Sequence, residues 1–385
     1  LLARGDGIAS LGNFYPVMAR RRDGVWDRSE GSTLGDIGPD EMSNVRAHID
    51  VPANAKVAVT GTVTSETPGD AAAGTKRVEV AAGLIRDFAV LVSRDFEVAT
   101  KDVGGVTVRS WFLKADRTAG ERVLDVAASA LATFEKRFGP YPYKDLDVVE
   151  AALVGGAGGV EFGALVTVAS MMYRPAKAGP NAGPLEKMMS EMLNGPSGSG
   201  LSAMTGTMLE FTTAHEVAHQ WWHGIVGSDS RVHPYVDESL AQFSAILYLE
   251  DRYGAARAKK DGDMNARMNY QFMRMTGEED GAVDRPVSAM SKMAYGGLVY
   301  GKGPYFYEAA RKEMGDPAFF EVVRAYVSKY RFRMAPPEGF VDVAAAKEPK
   351  IRPLAKHWFH ETHGDDDLGQ LDLAKVVGQM LGTPE

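Results

Sequence analysis

The sequence predicts an α+β, multidomain chain: a β-rich N-terminal unit, a sandwich or saddle, followed by a largely helical one. Three observations carry this. At 385 residues the chain is longer than one hydrophobic core serves. Short alternating apolar segments crowd residues 1–114, and turn residues separate them. Helical periodicity begins near residue 115 and dominates after residue 207.

The strands come first. In "VRAHIDV" (45–51), Val45, Ala47, Ile49 and Val51 fall on one face. "KVAVTGTVTS", "RVEVAAG", "FAVLVS" and "VTVRSWFL" follow, between Pro, Gly and Asp turns. Closely spaced strands of this kind suit an antiparallel sandwich or saddle. "TAGERVLDVAASALATFEKRFGP" (118–140) is an amphipathic helix with Val123, Val126, Ala127, Ala130, Leu131 and Phe134 on one face, stopped by Gly139-Pro140. "DLDVVEAALV" and "GALVTVAS" read as buried strands. Residues 174–206 are rich in Gly, Pro and Ser around one short helix, with Leu185, Met188, Met189, Met192 and Leu193 on one face. The segment reads as an insertion, and its helix either packs on its own domain or forms a mobile lid or partner-facing helix near the cleft. Helices "ESLAQFSAILYLEDRYG" and "GPYFYEAARKEMG" each end at a glycine.

Composition sets limits. The net charge of −8 argues against a nucleic-acid partner. The basic run "ARRRDG" (19–24) reads as a solvated turn. With no cysteine, disulfides and thiolate metal sites are excluded. No apolar run approaches a membrane span. The chain begins Leu-Leu-Ala and reads as a fragment or processed form; a cell-envelope or secreted location is favoured over a cytoplasmic one.

The chemistry concentrates in "TTAHEVAHQWWHG" (212–224). His215 and His219, four apart on a helix, share one face and can converge on a single Zn²⁺. Glu216 lies beside them, placed to activate a water as general base. His223 continues the spacing but sits two turns, about 11–12 Å, from His215, too far to share an ion. It is expected at the helix C-terminus, charged or bonded to free carbonyls. Glu238, separated from His219 by 18 residues and opening the next helix, is the better third ligand. Asp237 beside it either orients a ligand histidine or caps that helix.

These residues resemble the aminopeptidase N family of zinc metallopeptidases. "GGVEFGAL" (158–165) resembles its exopeptidase motif, "VYGKGPYFYEAARKEMG" (299–315) the segment with the catalytic tyrosine, and "FGPYPYKDLDVVE" (138–150) the lead-in to the exopeptidase strand. The resemblance implies a thermolysin-like catalytic domain over 115–385 after the β-rich domain of 1–114. It implies one zinc ion on His215, His219 and Glu238, Glu216 as base, and Tyr300 as oxyanion donor. Glu161 would hold a peptide's free α-amino group, with Gly158, Gly159, Val160 and Tyr295 also facing substrate. The partners are therefore peptides with a free N-terminus.

The sequence departs from the family pattern at Val160 (for Met), Phe162 (for Asn) and Gly301 (for Glu). A thermolysin-like endopeptidase and a silent peptide-binding module on the same fold are the competing expectations. "HWFHETH" (357–363) raises a second metal site against the reading of a packed terminal helix with histidines at its polar edge.

Overall fold

The computed structural model describes residues 2–19, 21–22, 24–26, 28, 34–35, 41–153, 157–174 and 199–369, with side chains 21–22 and 199–204 left aside. The lid expectation for Leu185–Leu193 lies outside the described residues.

The N-terminal part holds β1 (Leu2–Gly5), β2 (Ile8–Gly12), the pair β3 (Arg21–Arg22) and β4 (Val25–Trp26), then β5 (Ser43–Pro52), β6 (Lys56–Val59), β7 (Thr62–Pro68), β8 (Thr75–Ile85) and β9 (Ala89–Ser93). Of the basic run expected as a turn, Arg21–Arg22 form β3 and Gly24 takes φ +81°, while residues 20 and 23 lie outside the described residues. Two antiparallel sheets form, one ordered β1-β2-β9-β6 and one β5-β8-β7. On β5 the alternation reads as expected, with Val45, Ala47, Ile49 and Val51 turned inward. Val51, Val57, Val78, Val80, Ile85, Phe88 and Val90 form the core of this unit. "KVAVTGTVTS", met as one segment, is two strands in different sheets. The chain turns between them at Gly61, which has φ +94° and lies so close to Ala82 that a Cβ would meet it at 2.5 Å.

Next come β10 (Phe96–Val103), β11 (Val106–Leu113), α1 (Arg117–Phe138), β12 (Asp145–Ala151), β13 (Gly159–Phe162) and β14 (Leu165–Ala169). They build a five-stranded sheet in the order β10-β11-β12-β14-β13. β11, β12 and β14 run parallel, and β12 is buried along its whole length, as a strand covered on both faces must be. β10 and β11 precede residue 115 yet hydrogen-bond into this five-stranded sheet rather than the N-terminal ones. Ile8, Ala58 and Leu91 from the four-stranded sheet pack on Leu113, Val149 and Leu165 of the five-stranded sheet.

The helical part holds α2 (Ser170–Tyr173), α3 (Ser199–Ala218), α4 (Glu238–Tyr253), α5 (Ala255–Gly262), α6 (Met268–Met275), α7 (Lys292–Tyr295), α8 (Pro304–Met314) and α9 (Asp316–Tyr330), with shorter helices to residue 368. Its core joins Phe134 and Phe138 of α1 to Trp221 and Trp222, Phe243 of α4, and Phe306 and Phe319 of α8 and α9. α3 packs against both β13 and β14, which sets the end of α3 beside the free edge of the sheet. No helix among the described residues is long and apolar enough to cross a membrane.

Candidate metal centre

α3 ends at the motif. Beyond Ala218 the hydrogen bonds first tighten, with Trp221 N–H on Ala218 O at 2.9 Å, and then lengthen their reach: Gly224 N–H returns to His219 O at 2.9 Å, and Ile225 N–H to Gln220 O at 3.0 Å. His223 takes φ +97°. Two buried tryptophans fix this end. Trp221 Nε1 donates to Gly139 O (3.1 Å), and Trp222 Nε1 to Ser244 Oγ of α4 (2.8 Å). The second bond ties the helix of the histidine pair to the helix that begins with Glu238.

The three proposed ligands converge. His215 Nε2 and His219 Nε2 are 3.0 Å apart, and each is 3.2 Å from Glu238 Oε2. All three residues are buried. His219 Nδ1 is 2.9 Å from Trp222 O. A carbonyl only accepts, so Nδ1 carries the proton and Nε2 of the neutral ring offers its lone pair. Acceptors pressed together in a dry site call for a cation between them. Bonds of about 2.0–2.1 Å in a tetrahedron separate ligand atoms by about 3.3 Å, close to the triangle observed. The donor set, two imidazoles and a carboxylate, suits zinc.

Electrostatics agrees. Burial lowers the proton affinity of His215, partly offset by Glu238. Burial does the same to His219, but Glu161, Glu238 and Glu216 outweigh it and raise its pKa. Burial would raise Glu238; the two histidines hold it well below the usual carboxylate range instead. In effect the site concentrates negative charge that a divalent ion would neutralise.

The other expected residues surround this triangle. Glu216 is buried, and its carboxylate lies against the backbone of Gly159, where a Cβ would come within 2.2 Å of Oε1. Glu161, buried on β13, has Oε1 3.9 Å from His219 Nδ1. Val160 is half-buried next to it, with its carbonyl taken by Thr167 Oγ1 at 2.9 Å, and Gly158 O accepts from Ala169 N. Tyr300 lies on the π-helical stretch Gly296–Lys302, its ring centred 5.8 Å from that of His215. Wide turns of this kind recur at functional sites. Tyr295 Oη is 3.4 Å from both Tyr300 Oη and Glu238 Oε1, so it joins the proposed ligand carboxylate to Tyr300.

Two neighbours take other roles. Asp237 Oδ1 caps α4 by accepting from Glu238 N (2.9 Å), and Oδ2 accepts from Ser228 Oγ (2.5 Å). It bonds to neither ligand histidine; burial and the adjacent Glu238 raise its pKa. His223 is outside the metal triangle, as its distance along the helix required. It lies past the helix end, facing carboxylates rather than free carbonyls: Nε2 is 3.3 Å from Asp87 Oδ2, and Nδ1 is 3.9 Å from Asp237 Oδ2.

Sequence reasoning missed Gln220, Asp87 and Lys302. Lys302 is fully buried, with Nζ on both oxygens of Asp280 (3.1 and 3.2 Å), Gly281 O (3.1 Å) and Glu361 O (2.7 Å). It anchors the segment of Tyr300. No periodicity signals it, because its partners are remote in sequence. His357, Glu361 and His363 do form a second group with ligand-type atoms close together, half-exposed, but each already bonds to a neighbour: His357 to Asp367, His363 to Glu361, Glu361 to Lys356.

Two histidines and one glutamate thus meet at the end of a helix, beside β13, the last strand in the order of the mixed sheet. Residues 181–358 match the Peptidase family M1 domain. Aminopeptidase M1-B of Oryza sativa subsp. japonica is 24% identical over 257 residues, 66% of this chain and 27% of the relative. Aminopeptidase RNPEPL1 of Mus musculus is 26% identical over 148 residues, 36% of this chain and 20% of the relative. The chain therefore spans about a quarter of the length of these relatives. Among solved structures, an M1 zinc metallopeptidase from Deinococcus radiodurans superposes with TM-score 0.58 at 16% identity, covering 84% of this chain and 65% of that one. A two-domain M1 zinc metallopeptidase bound to L-arginine gives the same TM-score, identity and coverage. Residues 181–358 thus carry the match to the M1 domain, and the chain is similar in fold to M1 zinc metallopeptidases.

Proposed function

We propose that this chain is a zinc-dependent aminopeptidase that removes the N-terminal residue from peptides. One observation carries the reading: the Glu161 carboxylate lies within 4 Å of a metal-ligand histidine, with Oε1 3.9 Å from His219 Nδ1. A buried carboxylate so close to the reacting centre suits one terminal ammonium and leaves little room for residues upstream of it.

His215, His219 and Glu238 would hold the ion, which when bound supplies Lewis acidity and a water acidified toward neutrality. Glu216 takes the proton of the attacking water and returns it to the leaving amine, a role supported by its place one residue after His215. Tyr300 donates a hydrogen bond to the oxygen that gains charge at the tetrahedral stage. Glu161 fixes the α-ammonium and so sets which peptide bond is presented. The outer edge of β13 offers backbone groups with which an extended peptide can pair as an added strand. Tyr295 steadies Glu238 through its 3.4 Å contact.

The test compares one peptide with a free and with an acetylated N-terminus on the zinc-loaded protein. Cleavage of the free form alone is expected. Equal cleavage of both means an endopeptidase. No cleavage with zinc bound means a binding module. Glu216→Gln is expected to retain zinc and lose activity, and full activity in that variant would overturn the mechanism.

A further inference from the structure

The helix that carries the metal ligands and the strand that carries Glu161 are joined by one side chain outside both motifs. Gln220 follows His219 directly and is 1% exposed. Its Nε2 donates to Phe162 O at 2.9 Å. Its Oε1 accepts from Ala164 N at 2.9 Å and from Tyr141 Oη at 3.3 Å. The two backbone contacts straddle the Gly163-Ala164 turn of the β13–β14 hairpin, where Phe162 pairs with Leu165.

That turn needs holding. Ala164 has φ +59°, a left-handed conformation that costs a residue with a Cβ roughly 1–2 kcal/mol. Two-residue hairpins favour turns with a left-handed first position, and Gly163 is not left-handed. Its N–H is instead taken by the buried Asp87 Oδ1 at 2.8 Å. Phe162 O, Gly163 N and Ala164 N are thus each fixed from outside the hairpin. Strained backbone of this kind persists where its surroundings over-determine it.

We infer that Gln220 is a positioning residue: it locks the register of β13 against α3 and thereby sets the distance between the amine-binding Glu161 and the metal centre. This rests on the reading of Glu161 given above. Glu161 is one residue before Phe162, and His219 is one residue before Gln220, so the clamp ties together the backbone next to the group that holds the substrate terminus and the backbone next to a group that holds the ion. Without it Ala164 can relax, and β13 with Glu161 shifts along α3.

The experiment uses the full chain loaded with zinc. Gln220→Met keeps the volume and removes both backbone bonds. KM for a free-amine peptide is expected to rise about tenfold, with kcat within about threefold and zinc content unchanged. Adding Ala164→Gly relieves the left-handed strain and is expected to bring KM back toward wild type, a rescue that a general loss of stability would not give. If the Met variant fails to fold, Gln220→Glu, which loses only the bond to Phe162, serves in its place with a KM rise of about threefold. An unchanged KM, a kcat or zinc loss as large as the KM effect, or no rescue overturns the proposal. If the wild-type protein cleaves free and acetylated peptides alike, the reading of Glu161 falls. The clamp is then decided by amide hydrogen exchange at Gly163 and Ala164: faster exchange in Gln220→Met supports it, and unchanged exchange overturns it.

Discussion

Gly159→Ala asks for the smallest possible change next to the proposed base. A Cβ at residue 159 would lie 2.2 Å from Oε1, 2.3 Å from Cδ and 2.6 Å from Cγ of Glu216. Non-bonded carbons settle at about 3.5–4.0 Å, so the carboxylate or the strand must retreat by about 1 Å. A misplacement of about 1 Å at a reacting centre costs about 10²-fold in rate, equivalent to about 2.7 kcal/mol of barrier. The expected result is a kcat about 100-fold lower with zinc content unchanged. Gly262→Ala is the control, because it lies at the end of α5, outside every residue assigned to the site, and its Cβ would meet Ile246 no closer than 3.2 Å. That variant is expected to stay within about threefold of wild type. Steady-state kinetics on a free-amine peptide, with metal content measured on the same samples, decides the matter. If Gly159→Ala keeps kcat within threefold, or if both variants lose rate equally, the argument that Gly159 makes room for Glu216 is refuted.

Tyr300→Phe removes the proposed oxyanion donor while leaving the ring contact with His215, so kcat is expected to fall about 10²–10³-fold with KM little changed; a fall under fivefold would remove Tyr300 from the mechanism. Lys302→Met leaves the Asp280 carboxylate facing Gly364 N alone, and breaking a buried pair of this kind costs about 3–5 kcal/mol, measurable by urea unfolding; a loss under 1 kcal/mol would show that the Lys302 cluster is not structural. Asp147 is buried, which raises its pKa from 3.8 to about 6 despite Arg109 and Trp111. The folded state therefore binds this proton more tightly than the unfolded one. Its contribution is fully present below about pH 4 and is lost as pH rises through about 6. Asp147→Asn is expected to remove that dependence, so its stability relative to wild type should improve by up to about 3 kcal/mol between pH 4 and 7; parallel pH profiles would contradict the assignment.

Much of this molecule is written in short-range pattern. The alternation on β5 and the apolar face of α1 appear in the structure where period two and period 3.6 put them. The histidine pair was legible because four residues on a helix bring two side chains to one face whatever the surroundings. Glu238 was legible as a helix start at a workable distance, and the same arithmetic set His223 aside. Asp237 stayed open between two roles, because capping and ligand orientation ask for the same residue type.

Other features depend on partners remote in sequence. "KVAVTGTVTS" divides between two sheets at Gly61 because of the approach of Ala82, and β10 and β11 join the five-stranded sheet through pairing with β12 across α1. Local sequence says that a segment is a strand but not which strand it pairs with, since backbone hydrogen bonding is the same for every residue type except proline. Gly159 against Glu216, Gln220 across the Gly163-Ala164 turn, and Lys302 under Tyr300 are of this kind too. The sequence by itself determined the elements and the ligand types, because propensity and periodicity act over a few residues. Only the tertiary structure decided the spacing between the metal centre, Glu161 and Tyr300, because that spacing is held by buried contacts between segments remote in sequence, where a polar group removed from water costs free energy unless it finds a partner.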